Sequence, residues 1–422
     1  MSSTPAKVIA VLSQGCAANF GDGEKIARAL SAQVPDCKIT FEFPTEPPYA
    51  FYLNVCTVKG NSTALKLVQC AASAFPQAPI FITGCAPRDF REAVLQEFSQ
   101  VIFTDLKQLQ AGLNASPSTL RESPFVGIVN MEEGCLDACA FCSTRLVKGR
   151  LKSFPESTIV EQVQRLVDDG CLEIQLTGQD CACYGFDTGT NLAELVQKIL
   201  AKVTGDYRLR LGMGNPRHIL GYKDALLDCF QDERVYQFLH IPVQSGSDKV
   251  LQLMNRKHSV EDYRNFTLEL LEKIPLFTLS TDMIVGFPGE TEEDFKQTLD
   301  LLKETRPTVC NITRFVAREG TVAARMESAD APDCRAVPDT VKHQRSALLF
   351  ETFQKIAQEN NQLWVGTSCT AITEKQGHRE DTTIARNNAY RPVALQGNIP
   401  AGEKLQVRII KAEPFALIGE RL

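Results

Sequence analysis

The sequence predicts an α/β protein in three parts: an open parallel α/β sheet, a partial (β/α)6 barrel and a small C-terminal β-barrel. Three observations predict it. Short apolar runs alternate with helical stretches in two series, of four and then six units, and such alternation builds parallel sheets. A polar stretch with two prolines, NASPSTLRESP at 114–124, separates the series. Beyond Gln362 the helical pattern stops, and strand-like runs between Gly and Pro turns form a tail of about 60 residues, enough for a small barrel. The expected domains are 1–114, 125–335 and 362–422. A chain of 422 residues has room for two or three such cores.

In the first series, AKVIAVLS (6–13), Phe51–Val55, Pro79–Thr83 and Gln100–Thr104 read as strands. Cys16, Cys56 and Cys85 each fall just past the C-terminal end of one of them. Those ends line one crevice in an open parallel sheet, where ligands bind, so the three thiols should converge. Burial of small free cysteines in the core is the alternative.

The second series opens on FVGIVNM and runs into GCLDACAFC, with Cys135, Cys139 and Cys142 in C-x3-C-x2-C spacing. Three thiolates so close together suit an iron–sulfur cluster or zinc. No histidine precedes His218 to close a four-ligand zinc site locally. Three ligands on a four-iron cluster leave one iron open to substrate. Ser153-Phe-Pro-Glu156 reads as a capping box for a helix with the apolar face Ile159, Val163, Leu166 and Val167, stopped by Gly170. Strands follow at Leu172–Thr177, Tyr207–Gly212, Gln237–Ile241, Phe277–Ile284 and Val309–Phe315. Thr291 and Asp294 make a second capping box. Barrel chemistry sits at the C-terminal strand ends, where the cysteine loop begins. A helical connector over about 340–360 leads to the tail.

The chain has no charged-then-apolar leader and no run long enough to span a bilayer, so a cytoplasmic protein without membrane contact is expected. Thiols stay reduced there, and fifteen cysteines then mean metal binding and core burial. With a net charge of −6, a nucleic-acid partner needs a local basic surface. The tail offers eight Lys/Arg against six acids, among them Arg386, Arg391 and Arg408. Small barrels of this size bind single-stranded RNA through such surfaces.

Taken together, QGCAANFGDGE, LNVCTVKGNST, ITGCAP, GCLDACAFC, LTGQDCACYG, LRLGMGNP, FLHIPVQSGSDKVLQLMNR and TDMIVGFPGET resemble the methylthiotransferases of the radical S-adenosylmethionine (SAM) class. DGE, LNVCTVK, GQDCACYG and LRLGMGNP look most like the archaeal and eukaryotic branch, which modifies N6-threonylcarbamoyladenosine beside the anticodon of tRNA. Relatives act on isopentenyl-adenosine in tRNA or on a ribosomal-protein aspartate. The resemblance implies a 4Fe-4S cluster and SAM on Cys135, Cys139 and Cys142, a second 4Fe-4S cluster carrying sulfur on Cys16, Cys56 and Cys85, and a C-terminal RNA-binding barrel known as TRAM. It implies tRNA, a low-potential electron donor and a sulfur source as partners. The adenine C2–H is not acidic, so no general base with a realistic pKa removes it, whereas a carbon radical does.

Candidate SAM contacts are Gln179 and Asp180 at the methionine amino group, Gly286 and Gly289 where backbone could approach the adenine, and Gln244 near the ribose. Arg145, Lys148 and Arg150 follow the cluster loop, and arginine suits the carboxylate of the threonylcarbamoyl group. Cys181 and Cys183 stand at the mouth after the second barrel strand, as sulfur contacts or core. The family's arginine-proline-glycine-threonine-proline turn has Glu319 and Val322 in place of its prolines here.

Overall fold

The computed structural model describes residues 7–57, 61–105, 120–329, 332–377 and 379–422, so 114–119 of the expected linker lie outside it. The first sheet is parallel, in the order β2-β1-β3-β4-β5: β1 (Lys7–Ser13), β2 (Cys37–Thr40), β3 (Ala50–Cys56), β4 (Ile80–Cys85) and β5 (Val101–Phe103). The unanticipated strand is β2. It is a half-buried edge whose CKIT carries no apolar run. The helix Ala17–Gln33 is buried on two sides. One side meets β1 and β3, and the other meets the next domain. Gly21 permits the second contact: a Cβ there would stand 2.5 Å from Asn130 Oδ1 and 2.8 Å from Ile128.

The second sheet system is six parallel strands in two halves, β10-β9-β6 and β11-β12-β13. They are β6 (Val126–Asn130), β9 (Glu173–Thr177), β10 (Arg208–Leu211), β11 (Phe238–His240), β12 (Thr278–Val285) and β13 (Val309–Arg314). Residues 234–236 stitch the halves: Leu209 N–H donates to Arg234 O and Tyr236 N–H to Leu209 O. One core of Val, Leu, Ile and Phe side chains runs through both halves and their helices. The partial (β/α)6 barrel is therefore borne out. Thr291 and Asp294 form their capping box on the helix Glu292–Thr305. The other box does not form, because Pro155 precedes the helix Glu156–Asp168 and Ser153 is drawn into pairing. Ser153 belongs to β8 (Lys152–Ser153), paired antiparallel with β7 (Glu132–Glu133), and its Oγ accepts from Gly185 N–H at 2.9 Å.

The helix Asp339–Gln362 begins at the barrel mouth, where Lys342 packs on Gly286. It ends at the opposite rim, where Asn360 donates to Arg306 O just before β13. The closed barrel that follows has the order β14-β15-β16-β18-β17, from β14 (Ser368–Gln376), β15 (Thr382–Asn387), β16 (Pro392–Gln396), β17 (Lys404–Glu413) and β18 (Ala416–Arg421). It seals the N-terminal rim of the larger barrel. Tyr390 OH donates to Glu173 Oε1 at 3.0 Å, at the start of β9, and its ring packs on Tyr236 and Phe238 beside β11. Lys404 pairs with Asp206 ahead of β10. Among the described residues no helix is long and apolar enough to cross a membrane.

Candidate functional site

Cys56 and Cys85 end β3 and β4 and are register partners. A hydrogen bond between these two thiols, together with burial, pushes Cys85 far above its ordinary range. Cys16 reaches them through a turn. Gly15 there has φ +109°, and a Cβ on it would lie 2.5 Å from Cys56 Cβ, so only glycine allows this approach. Asn19 fixes the arrangement. It is 2% exposed, and its Nδ2 faces the carbonyls of Gln14, Asn54 and Val55 at 2.6, 3.1 and 3.1 Å. One amide thus joins the ends of β1 and β3 directly beside Cys16 and Cys56.

The second triad lies in the loop between β7 and β8. Gly134 enters it at φ +83° and donates its N–H to Gln179 Oε1 at 2.6 Å. Cys142 N–H closes a turn onto Cys139 O at 3.1 Å. A hydrogen bond from Cys183 holds Cys135 below its ordinary pKa. Burial pushes Cys139 up to about 11, and the Arg256 guanidinium 3.6 Å from its sulfur opposes that.

The triads face each other across the domain seam. Asp22, on the helix after Cys16, pairs with Lys148 at 2.8 Å and Lys25 at 3.1 Å, and accepts from Asn130 Nδ2 at 2.9 Å. Burial works against the Lys148 charge, but Asp22 more than offsets it, and the field of Cys85 reaches the same ammonium. Arg318 Nη1 donates to Thr57 O at 2.7 Å, next to Cys56, and feels both Cys56 and Cys142. The Glu319 and Val322 departures leave its turn intact: Thr321 Oγ1 accepts from Ala324 N–H and starts the helix Val322–Ala329.

At the barrel mouth Asp180 is buried, its Oδ1 accepting from Asn215 N–H at 2.8 Å and its backbone N–H donating to Glu132 Oε1 at 3.0 Å. Burial raises its pKa. His218 stands 3.3 Å from Asp137 and 3.8 Å from Asp180. Asn215 and Arg217 donate to Asp137 as well, so this group is already served by protein donors. Gln179 is held by the cluster loop rather than pointing clear of it. Gln244 is buried beside β12 at φ +76°, its N–H on Asp282 O. Gly286 and Gly289 have a protein reason for lacking side chains, since a Cβ would meet Lys342 at 2.3 Å and Asp333 O at 2.2 Å. Cys181 is core, in contact with the Gly212 backbone, whereas Cys183 touches the Cys135 thiol.

Comparison with known proteins sets this geometry in a family. Residues 129–302 match the Radical SAM superfamily and 362–422 the TRAM domain. The probable threonylcarbamoyladenosine tRNA methylthiotransferase of Pyrococcus horikoshii is 31% identical over 96% of this chain and 97% of its own length. That of Archaeoglobus fulgidus is 42% identical over 71% of this chain and 68% of its own. The human threonylcarbamoyladenosine tRNA methylthiotransferase is 31% identical, over 96% of this chain and 72% of that protein. The chain belongs to the threonylcarbamoyladenosine tRNA methylthiotransferase family. In fold it also resembles the radical SAM methyltransferase TsrM from Kitasatospora setae, with a TM-score of 0.53 at 11% identity over 79% of this chain and 80% of that one.

Radical SAM enzymes use SAM and a four-iron cluster, and methylthiotransferases carry a second cluster. The donor sets fit. Among the described residues the group compact enough for a single ion is Asp137, Asp180 and His218, with ligand atoms within 4.8 Å of one another. Neither cysteine triad is that compact. A wider span of three soft sulfurs suits a cluster rather than one zinc ion.

Of the three arginines expected to face RNA on the TRAM barrel, one is buried, one is paired within the barrel and one is exposed. Arg386 is bound to Glu374 at 2.8 Å and lies over the Tyr390 ring, and Arg391 is 4% exposed, on Asn361 and Thr308. Arg391 serves the joint with the larger barrel directly, and Arg386 braces Tyr390, whose hydroxyl reaches Glu173 there. Arg408 is exposed, as are Lys375 and Arg421. Lys148 is likewise committed to Asp22, Arg145 Nη1 lies 3.4 Å from Leu136 O, and Arg150 is exposed. Sequence reasoning missed Asn19, Asp22, Arg256 and Arg318. A signal existed for the first two: spaced i and i+3 after Cys16, they share a helix face.

Proposed function

We propose that the chain methylthiolates C2 of N6-threonylcarbamoyladenosine next to the anticodon of tRNA. Cys135, Cys139 and Cys142 hold the SAM cluster, and Cys16, Cys56 and Cys85 hold the cluster that carries sulfur. The observation that carries this reading is the seam, where Lys148 and Arg318 each stand within reach of thiols of the N-terminal triad while the loop triad lies on the other side. The substrate adenine is placed between them. When bound, SAM and its reduced cluster supply a carbon radical able to take the C2 hydrogen.

The chain's own residues orient and shield. Asn19 and Gly15 hold the three strand-end thiols together. Gln179 braces the loop at Gly134, and the Asp137–Asn215–Asp180 network ties that loop to β9 and β10. Asp22 and Lys148 lock the seam, which keeps water out of the space between the triads. Gln179, Asp180, Gln244, Gly286 and Gly289 line the SAM side. Arg145 and Arg150 are the cations placed to meet the threonylcarbamoyl carboxylate. Domain limits of 1–114, 125–335 and 362–422, a cytoplasmic location, a low-potential electron donor and a separate sulfur source complete the reading. The test is incubation of reduced enzyme and SAM with three tRNAs, unmodified, isopentenylated and threonylcarbamoylated, read as methylthio-nucleosides by mass spectrometry. Product on the threonylcarbamoylated tRNA alone is expected. Equal turnover of the isopentenylated tRNA, or product only on a ribosomal protein, overturns the substrate while leaving the reaction class.

A further inference from the structure

The turn after the helix Asp248–Leu253 is clamped onto the cysteine loop, although it comes from the other half of the barrel. Three successive loop residues meet it. Asn255 Nδ2 donates to Ala138 O at 2.7 Å, Arg256 Nη1 stands 3.6 Å from Cys139 Sγ, and Ala140 N–H donates to Met254 O at 2.8 Å. Asn255 adopts φ +57° to make the turn, a conformation asparagine tolerates. Arg256 is only 9% exposed, and its Nη2 donates to Pro242 O at 2.7 Å. The guanidinium plane is therefore anchored at one end and presented to the Cys139 sulfur at the other.

A buried cation costs free energy unless an anion meets it. The backbone partner of Arg256 supplies none, and Asp137 and Asp180, which both feel its charge, take their hydrogen bonds from Asn215 and Arg217 instead. The sulfur of Cys139 is the partner it touches. Hydrogen bonds to the sulfurs of an iron–sulfur centre set its reduction potential, because a positive donor stabilises the added electron.

We infer that Arg256 sets the reduction potential of the cluster held by Cys135, Cys139 and Cys142, a conclusion that rests on the proposed cluster site. One electron passes from an external one-electron reductant to the cluster, with no bond made or broken at Arg256 and no proton moved. Its charge, desolvated and fixed beside Cys139, favours the reduced form. Removing that charge makes the cluster harder to reduce. Arg256 is thus a tuning residue that acts through Cys139, and the SAM-cleaving step depends on it through the reduced fraction of the cluster.

The experiment uses the full chain with Cys16, Cys56 and Cys85 changed to Ala, so that one cluster titrates, reconstituted anaerobically and measured without SAM. Iron content and midpoint potential, from electron paramagnetic resonance, are compared for this parent and for Arg256→Met, Arg256→Lys and Asn255→Ala in it. Arg256→Met should keep its iron and lower the reduced-to-oxidised ratio about tenfold at fixed potential, a shift of about 59 mV for one electron. Arg256→Lys keeps the charge without the planar fork and should shift less in the same direction. Asn255→Ala removes a bond to the same loop with no change of charge and should not shift. A midpoint for iron-loaded Arg256→Met equal to the parent's overturns the inference. If that variant loses its iron, a negative shift in Arg256→Lys beyond that of Asn255→Ala upholds it, and identical midpoints in those two reduce Arg256 to a structural clamp. A parent that binds no cluster overturns the site reading itself, and the tuning role with it.

Discussion

The two cysteine triads do the same job of presenting three sulfurs to one point, and they are built in opposite ways. Cys135, Cys139 and Cys142 lie within eight consecutive residues, on a loop pinned by Gln179, Asn255 and a two-residue β pairing. Cys56 and Cys85 end two neighbouring strands and Cys16 follows the turn after a third, and the parallel register of the first sheet brings them together. A loop triad depends on its own short segment, whereas a strand-end triad depends on the sheet and on Asn19, which joins two of its strands. Loss of one triad should therefore leave the other intact, and damage to the sheet should be selective.

The largest expected effect tests that independence. Changing Cys135, Cys139 and Cys142 together to Ala should lower iron from about eight to about four per chain and abolish reductive SAM cleavage. Changing Cys16, Cys56 and Cys85 should remove the same amount of iron yet spare SAM cleavage and eliminate the methylthio product. Iron analysis with 5′-deoxyadenosine and nucleoside assays decides it. An equal partial defect from both triple variants would erase the distinction.

Next in size is Asn19→Ala. It takes a donor from the carbonyls of Gln14 and Val55, and one of two from that of Asn54, which keeps Gln14 N–H, at a cost of about 1–3 kcal/mol. The strand ends should part, and about four iron should be lost while SAM cleavage persists. Thermal unfolding and iron content together check this. If Asn19→Ala retained all its iron, the sheet register alone would suffice to hold the triad.

The same contrast explains what could be read from the sequence. C-x3-C-x2-C is local, so residue spacing reveals it. The strand-end triad was legible through the coarser rule that parallel strand ends converge, which needs only strand boundaries good to a residue or two. Asn19, Asp22, Arg256 and Arg318 act through contacts across 35 to 261 positions, and nothing in their local patterns marks those partners. Ser153 shows the converse: its local capping signal was overridden when Glu132 paired with it across the loop. Arg386 and Arg391 read as surface charge from composition, but the seal between the barrels buries the latter and most of the former.

A third test concerns the helix that links the triads. Glu24, 4% exposed, is pushed up to about 7 by burial, against a backbone N–H from Glu122 and the charges of Arg28 and Arg121. The folded state then holds its proton more tightly than the unfolded chain does. Stability from this group is full below the ordinary carboxyl pKa and falls as pH rises from about 4.5 through 7. Glu24→Gln, which keeps the acceptor for Glu122, should stabilise the protein by about 3 kcal/mol at pH 8 and by nothing near pH 4. Denaturant unfolding at the two pH values measures it. A gain that did not depend on pH would place the cause elsewhere.

The smallest expected effect comes from a change that touches neither triad. Arg408 is exposed on β17, on the barrel that seals the rim opposite the cluster loop. Arg408→Ala should leave iron content, SAM cleavage and stability unchanged. If this face meets the tRNA phosphates, the variant should weaken tRNA binding by a few-fold and lower the slope of log affinity against log salt by about one. Arg391→Ala should do the reverse. It removes a buried cation bound to Asn361 and Thr308, so the rim seal should loosen and unfolding should come earlier, with the salt slope unchanged. Should Arg408→Ala bind tRNA with the parent's affinity and slope across a salt titration, the RNA anchor would lie instead on the mouth side with Arg145 and Arg150, close to the chemistry. The TRAM barrel would then act on the reaction only through the rim it closes.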